Sequence, residues 1–218
     1  MNDSPEKLFT IACLGDSITY GHGVSDTRTR DAWPYVLQRL LGSAFKVLEY
    51  GRNGATAIEG VPDSYRAGGL LEKALSSGAD VYILMLGTND TKARYWDEEA
   101  YRKGLRNLAL SLLKTQPASL FLMLPPKAFP LEDGTFAYGV DDALIRERVI
   151  PAIEELAADL GLPVIDLYAL TEGRPELFLE GVHPNKEGNA AIAEKVFRSL
   201  ISACSDLPDL PEGRSGLI

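Results

Sequence analysis

Short apolar runs that end in a glycine or a polar turn alternate with amphipathic segments along most of this chain. The runs have the length of buried strands, whereas the segments between them carry apolar residues at helical spacing. This alternation predicts a parallel sheet with right-handed crossovers and helices on both faces. The predicted strands are Ile11–Leu14, Phe45–Tyr50, Val81–Leu86, Leu120–Leu124 and Val164–Leu167.

The segments between the strands predict helices whose limits are marked by capping residues, glycine and proline. Asp31 is the predicted cap of the first helix, which has Pro34 in its first turn and ends at Gly42. Pro151 lies inside a later predicted helix and removes a backbone hydrogen bond, so we expect a kink or two helices there. The predicted helices are 31–42, 66–77, 97–115, 141 or 142 to 160, and 187–204, with irregular segments at 20–30, 125–139 and 171–185.

The length of 218 residues is typical of one α/β domain. We expect a single domain over residues 1–204 and a flexible tail over 205–218, which is rich in Pro, Asp and Gly. Cys13 lies in the first apolar run, where a role as a small buried hydrophobic residue is expected. With Cys204 as the only other cysteine, the chain predicts neither a disulfide framework nor a zinc site.

Charge and hydropathy argue against several classes of partner. The net charge of −9 disfavours binding to the phosphate backbone of a nucleic acid. No apolar run reaches the length of a membrane span, and residues 1–7 have neither the basic nor the apolar region of a signal peptide. A cytoplasmic protein is therefore expected.

The first predicted strand runs directly into Gly15-Asp16-Ser17. Gly15 permits a sharp turn because it has no Cβ atom, and Ser17 then lies just past the carboxyl end of the strand, at the start of a helix. Ligands bind at this edge of open α/β sheets, and free N–H groups at a helix start suit an anion. The alternative is a structural one, in which Asp16 or Ser17 merely caps a helix after a core strand.

Other polar groups follow other strands in the same way. Asn53-Gly54 follows the second predicted strand, Asn89 follows the third, and His183 lies in the segment after the fifth. The carboxyl ends of parallel strands lie at one edge of a sheet, so these groups should converge with Ser17. Asn89 has a structural alternative too, because asparagine favours turns.

These groups fit the requirements of acyl transfer. A serine hydroxyl such as that of Ser17 is a weak nucleophile that needs a base, and His183 can take its proton near neutral pH. Glu180 lies three residues before His183 and can reach the other ring nitrogen, where an acid orients the imidazole. The backbone N–H groups of Ser17 and Gly54 and the side-chain amide of Asn89 are candidate donors to an oxyanion.

Four blocks in this order resemble the successive blocks of the SGNH hydrolases, also called the GDSL esterase/lipase family. The blocks are Gly15-Asp16-Ser17-Ile18, Asn53-Gly54-Ala55-Thr56, Gly87-Thr88-Asn89-Asp90 and Gly181-Val182-His183-Pro184, and the match covers nearly the whole chain. The resemblance implies a flavodoxin-like three-layer α/β/α sandwich with a five-stranded parallel sheet. It also implies Ser17 as nucleophile, Gly54 and Asn89 as oxyanion donors and His183 as base, with no metal or cofactor.

The acid position departs from the family pattern, which usually has Asp three residues before the catalytic histidine. Glu180 occupies that position here and is one methylene longer. Either a small adjustment of the loop brings Glu180 to the imidazole, or the acid is weak or absent. Asp166 is the alternative acid, but its place at the end of the fifth strand favours a capping or loop-bracing role.

Several residues beside these blocks have more than one possible role. His22 is an alternative base for which a solvent-facing or substrate-rim role is favoured, and Asp16 is expected to brace the turn by local hydrogen bonds. Arg52 can face either substrate or solvent. Thr19 and Thr88 are expected to be structural, and Asp90 lies beside the site. Five aromatic residues follow strand ends and are expected to line either a substrate pocket or the core. They are Tyr95, Trp96, Phe129, Phe136 and Tyr138.

Together these observations favour a serine hydrolase that cleaves a small-molecule carboxylic ester through an acyl-enzyme. The short chain without a large lid favours short acyl groups, such as acetyl on a sugar or another small alcohol. Within the family, a thioesterase or lysophospholipase is the alternative. From other classes, the alternatives are a ligand-binding relative that has lost catalysis and a flavodoxin-like binder of phosphate or FMN.

Overall fold

The computed structural model describes residues 8–114 and 119–203 of the chain. A five-stranded parallel sheet with the strand order β2-β1-β3-β4-β5 forms its centre. All five predicted strands are confirmed, and no strand end differs from its predicted position by more than two residues. The strands are β1 (Phe9–Gly15), β2 (Phe45–Gly51), β3 (Val81–Met85), β4 (Ser119–Leu124) and β5 (Val164–Asp166).

Helices connect the strands throughout the described part of the chain. The α-helices are α1 (Ser17–Tyr20), α2 (Arg28–Asp31), α3 (Trp33–Leu41), α4 (Leu70–Leu75), α5 (Glu98–Leu113), α6 (Asp142–Leu144), α7 (Ile150–Leu160), α8 (Leu167–Thr171) and α9 (Lys186–Ala203). Short 3₁₀ segments lie at His22–Thr27, Tyr65–Gly68, Asn89–Thr91, Ala137–Gly139 and Pro175–Leu177, and a π-helical segment lies at Ile145–Val149. None of these helices is both long enough and apolar enough to cross a membrane.

The sheet is covered on both faces, which gives the predicted three-layer α/β/α sandwich. Successive strand residues point to opposite faces, so Ile11 and Cys13 pack in one apolar cluster with α3 and α9. Ala12 and Leu14 pack in the other cluster, with residues of α4, α5 and α7. Cys13 is fully buried in the first cluster, as expected for a small hydrophobic residue.

The order of the strands creates the edge where ligands bind in such folds. The chain passes from β1 to β2 on one side and then returns to place β3 on the other side of β1. A crevice forms outside the carboxyl ends of the strands where the winding direction changes in this way. Gly15 at the end of β1 is level with Gly51 of β2 and Met85 of β3, so the segments after these strands lie together.

Two helix predictions are confirmed. The carboxylate of Asp97 accepts a hydrogen bond from Ala100 N at 2.9 Å and caps α5. The helix predicted to contain Pro151 is divided into α6, the π-helical segment and α7, which begins one residue before the proline. Proline has no N–H group to continue the regular hydrogen-bond ladder.

Other local predictions were wrong. The predicted loop at 20–30 contains a 3₁₀ segment and α2. Asp31 does not cap α3. It is the last residue of α2, and its carboxylate accepts hydrogen bonds from the Arg30 guanidinium. The N–H of Trp33 at the start of α3 donates instead to Asn189 Oδ1 at 2.9 Å. The predicted helix 66–77 is broken at Gly69, whose φ of +70° interrupts it before α4. Residue 115, residue 204 and the predicted tail 205–218 lie outside the described residues.

Candidate active site

The turn between β1 and α1 places Ser17 at the carboxyl edge of the sheet. Asp16 braces this turn as predicted, because its carboxylate accepts a hydrogen bond from Ile18 N at 2.9 Å. A Cβ atom on Gly15 would lie 2.2 Å from Thr19 Oγ1 and 2.8 Å from the carbonyl oxygen of Met85. Thr19 of α1 and Met85 of β3 both approach residue 15 too closely for a Cβ atom, so this position requires glycine.

Ser17, His183 and Glu180 form a chain of side-chain contacts. Ser17 Oγ lies 2.9 Å from His183 Nε2, and both side chains are buried. The other ring nitrogen, His183 Nδ1, contacts Glu180 Oε1. The longer glutamate therefore reaches the imidazole from the position where the family usually has aspartate.

The surroundings of His183 favour a neutral imidazole. Burial lowers the pKa of His183 below its ordinary value of 6.5, and the positive charge of Lys92 and the nearby His22 lower it further. The contact with the Glu180 carboxylate acts in the opposite direction but does not outweigh burial. A neutral imidazole can accept a proton from Ser17 at neutral pH.

Backbone contacts fix the segment that carries His183. Gly181 has a φ of +79°, and its carbonyl oxygen accepts a hydrogen bond from Phe129 N at 2.8 Å. A Cβ atom on Gly181 would lie 2.1 Å from the carbonyl oxygen of Phe129, so only glycine fits. The amide of Asn189 in α9 donates to the carbonyl oxygen of Pro184 at 2.8 Å, directly after His183.

Gly54 and Asn89 lie beside Ser17, as the sequence predicts. Gly54 has a φ of +78°, which turns the chain after β2. The Asn89 amide is buried and donates to the carbonyl oxygen of Ala55 at 3.2 Å and to the Asp16 carboxylate at 3.4 Å. These contacts join the segments after β1, β2 and β3 at one point.

Two buried carboxyl groups support these turns. Asp90 Oδ1 accepts a hydrogen bond from Ile58 N at 2.9 Å and so holds the segment that contains Gly54. Burial raises the pKa of Asp90 to about 7 and that of Asp16 to about 6. Their positions indicate a bracing role for both groups.

The converging residues line a cavity of about 170 Å³. Its volume is smaller than the roughly 300–1,000 Å³ of pockets for drug-sized ligands. The cavity is lined by Ser17, His22, Asn53, Gly54, Asn89, Lys92, Tyr138, Val140, Val182 and His183. A groove of about 480 Å³ adjoins it across Val140 and contains Trp96 and Phe136.

The structure distinguishes between the alternative roles of three further residues. Asp166 caps α8 by accepting a hydrogen bond from Ala169 N at 2.9 Å, which is the bracing role that was favoured. Arg52 binds the carbonyl oxygens of Ser64 and Pro62, so its guanidinium braces the chain. His22 is exposed, and its ring centroid lies 4.4 Å from that of His183.

The predicted aromatic residues lie in different places. Tyr138 lines the cavity with its ring centroid 5.0 Å from that of His183. Phe129 packs against Phe178, and the Tyr95 hydroxyl donates a hydrogen bond to the Asp63 carboxylate.

Sequence reasoning missed Lys92, Val140 and Val182 as cavity-lining residues. Lys92 and Val182 could have been found from the sequence, because Lys92 lies three residues after Asn89 and Val182 lies directly before His183. In residues 8–114 and 119–203, no group of three or more His, Cys, Asp and Glu side chains is arranged to hold a metal ion.

The sequence model of the GDSL-like lipase/acylhydrolase family matches residues 13–191, which contain every residue of the site described above. The chain belongs to this family. The resemblance carried by the four sequence blocks is thereby confirmed. In this chain, the blocks and their order therefore identified both the family and the edge of the sheet at which the polar groups converge.

Individual family relatives agree with this assignment. The chain is 32% identical over 209 residues to an acetylxylan esterase of Xylanibacter ruminicola; the match covers 87% of this chain and 42% of that protein. The chain therefore spans less than half the length of that relative.

Solved structures share the fold. A structure named as that of a "putative arylesterase" from Agrobacterium tumefaciens is 29% identical and has a TM-score of 0.75, covering 90% of this chain and 100% of that one. A lipase/acylhydrolase from Enterococcus faecalis is 21% identical with a TM-score of 0.74, covering 93% and 100%. The second similarity supports the three-layer fold alone.

Proposed function

We propose that this chain is a serine esterase that hydrolyses carboxylic esters through an acyl-enzyme on Ser17. The observation that carries the proposal is the chain of contacts from Ser17 Oγ through His183 to Glu180, which opens onto a small cavity. Nucleophile, base and orienting acid in this order are the parts that ester hydrolysis by a serine requires. Membership of an acylhydrolase family supports the same chemistry.

In the proposed reaction, Ser17 Oγ bonds to the acyl carbon while His183 Nε2 takes the hydroxyl proton. The Glu180 carboxylate stabilises the imidazolium that forms. His183 then gives the proton to the alcohol oxygen as its bond to the acyl carbon breaks. Water attacks the acyl-enzyme with the same base, which releases the acid and restores Ser17.

We propose that the oxyanion is bound by the backbone N–H groups of Ser17 and Gly54 and by the Asn89 amide. Each such donor contributes about 3–4 kcal/mol when it is aimed at the developing charge. The present hydrogen bonds of the Asn89 amide, to Ala55 and Asp16, are 3.2 and 3.4 Å long. Both bonds are longer than the usual N–H···O distance of about 2.9–3.0 Å, so a negatively charged oxyanion can compete with them for the amide N–H groups.

The size of the cavity favours a short acyl group as the part of the substrate that binds there. Its volume of about 170 Å³ is bounded by Tyr138, Val140 and Val182, which suit a methyl group better than a long chain. We therefore propose acetyl esters of a sugar or similar small alcohol. The name of the acetylxylan esterase relative agrees with this choice.

Hydrolysis of 4-nitrophenyl esters from acetate to decanoate tests the proposal. The wild type should act best on acetate, because longer chains exceed the cavity. Ser17→Ala should lower kcat/KM roughly 1,000-fold or more, and Glu180→Ala should cause a smaller loss of roughly 100-fold.

Ser199→Ala is the matched control. Ser199 is a half-buried serine on α9, remote from the cavity, whose hydroxyl bonds to the carbonyl oxygen of Lys195. This variant should keep the wild-type rate. A wild type no faster than Ser17→Ala on every ester would contradict the proposal, and a rate that rises towards decanoate would favour the lysophospholipase alternative.

A further inference from the structure

The catalytic cavity continues into the larger groove that adjoins it. Residues of the two segments 89–96 and 135–144 line both the cavity of about 170 Å³ and the groove of about 480 Å³. Val140 belongs to both linings, and Asp141 N joins the two segments by donating a hydrogen bond to Thr91 Oγ1 at 3.0 Å. Val140 and Thr91 are buried, so they form the floor of the groove. A ligand too large for the cavity can therefore extend along the groove.

The groove lies on the side of the cavity where the alcohol part of an ester is expected. In the proposed reaction His183 gives its proton to the alcohol oxygen, so the alcohol lies beside the imidazole. The ring centroid of Tyr138 in this wall is 5.0 Å from that of His183. Val182, directly before His183, packs in one apolar cluster with Val140. An alcohol that extends past Val140 therefore enters the groove.

Two aromatic side chains line the groove, and each is partly exposed. Trp96 packs against Tyr101, with 6.0 Å between the ring centroids, and Phe136 packs at the edge of the apolar cluster that contains Val140. The faces of aromatic rings carry partial negative charge. A pyranose ring presents C–H groups of partial positive charge on its faces, so the two kinds of ring can stack.

Polar side chains at the groove favour a polyhydroxyl ligand over an acyl chain. Asp141 and Thr135 both line the groove and are exposed. One Asp141 oxygen accepts a hydrogen bond from Leu144 N at 3.0 Å, and a carboxylate has further lone pairs to offer to sugar hydroxyls. An acyl chain would remove water from this carboxylate without supplying a donor in exchange, which is unfavourable.

We propose that the groove is a subsite for a pyranose ring, which binds there as the alcohol part of the ester while the acetyl group occupies the cavity. This inference rests on the proposed esterase function and names the place where the sugar binds. The groove volume lies within the roughly 300–1,000 Å³ typical of small-molecule sites. Aromatic rings combined with a few polar groups are also typical of such sites.

Tryptophan fluorescence tests binding in the groove without requiring turnover. The chain has two tryptophans, and Trp33 is fully buried in the core, so a change in emission on ligand binding should come from Trp96. A mono-O-acetylated methyl xylopyranoside added to Ser17→Ala should change the emission saturably. The response should be lost in the double variant Ser17→Ala/Trp96→Leu. No saturable response in Ser17→Ala, or the same response in both proteins, would overturn the subsite.

A variant that fills the groove tests its part in catalysis. Ala93 is exposed and lines the groove, so Ala93→Phe should occupy the space of the sugar ring without disturbing the core. The measurement is the ratio of kcat/KM for the acetylated glycoside to kcat/KM for ethyl acetate, whose alcohol is too short to reach the groove. Ala93→Phe should lower this ratio about ten-fold, as expected for loss of aromatic stacking.

Ala158→Phe is the matched control, because Ala158 is an exposed alanine on α7 that lines neither the cavity nor the groove. It should keep the wild-type ratio. An unchanged ratio in Ala93→Phe, or an equal fall in both variants, would overturn the subsite. A loss in Ala93→Phe that grows with acyl length on ethyl esters would overturn it in favour of an acyl-chain groove.

The outcomes separate the subsite from the proposed function. A wild type no faster than Ser17→Ala on both the glycoside and ethyl acetate would contradict the esterase proposal, while the fluorescence titration would still decide whether a sugar binds in the groove. An active, Ser17-dependent wild type whose ratio does not change in Ala93→Phe would contradict the subsite alone.

Discussion

At the scale of single residues, the site depends on groups whose charges act on one imidazole. Glu180 favours the protonated form of His183, whereas burial and Lys92 favour the neutral form. Lys92 is half-buried in the cavity wall, and its own pKa is lowered by burial. The balance of these opposing effects decides the pH at which His183 can accept a proton.

Lys92→Met tests this balance. The ammonium of Lys92 lowers the pKa of His183, so its removal should raise that pKa and move the acidic limb of kcat/KM to higher pH. Above the limb, the rate on a neutral ester should stay within about two-fold of wild type, because the base is neutral there in both proteins.

The control for this measurement is Lys103→Met, which removes an exposed lysine from α5, away from the cavity. It should leave the limb in place, since exposed charges are screened by salt over about 10 Å. A limb that does not move in Lys92→Met, or that moves equally in both variants, would contradict the assigned charge effect.

At the scale of elements, one asparagine joins three parts of the fold. Asn189 in α9 is fully buried, and its Oδ1 accepts the N–H of Trp33 at the start of α3. Its amide nitrogen donates to the carbonyl oxygens of Pro184 at 2.8 Å and Asn185 at 2.9 Å. The start of α3 and the His183 segment are therefore held by the same side chain.

Asn189→Ala should lower the free energy of unfolding by about 2–4 kcal/mol, because it leaves buried backbone groups of α3 and of the His183 segment unpaired. Urea unfolding measures the effect. The rate on 4-nitrophenyl acetate should also fall, since Pro184 follows His183 directly. Asn107→Ala, which removes a partly buried amide from α5, should cost less than about 1 kcal/mol. Equal losses in the two variants would contradict the joining role.

At the scale of the whole molecule, the sheet and the convergence of the polar groups could be predicted because both follow from local pattern and parallel topology. Each strand is a short apolar run, and all the carboxyl ends share one edge. The cap of α3 could not be predicted, because Asn189 lies 156 residues from Trp33 and no local window contains both. The 3₁₀ segment at His22–Thr27 and the helix α2 are each too short to show a helical period in their apolar residues.

The same contrast applies to the site. The spacing of three residues correctly placed Glu180 within reach of His183. The φ of +59° at Tyr138 had no signal in the sequence, since nothing in the residues around it requires a positive φ. Thr91, whose hydroxyl accepts a hydrogen bond from the backbone N–H of Asp141 in the same segment, comes from a distant part of the chain.

We propose Ser17 as the nucleophile and His183 as its base. Treatment with a fluorophosphonate tests it most directly, because the phosphorus bonds to an activated serine oxygen as fluoride leaves. Intact mass and peptide mapping should find one phosphonyl group, on Ser17, with esterase activity lost in proportion to labelling. Ser17→Ala should stay unlabelled. A label on another residue, or full activity in fully labelled protein, would contradict the assignment of Ser17 as the nucleophile.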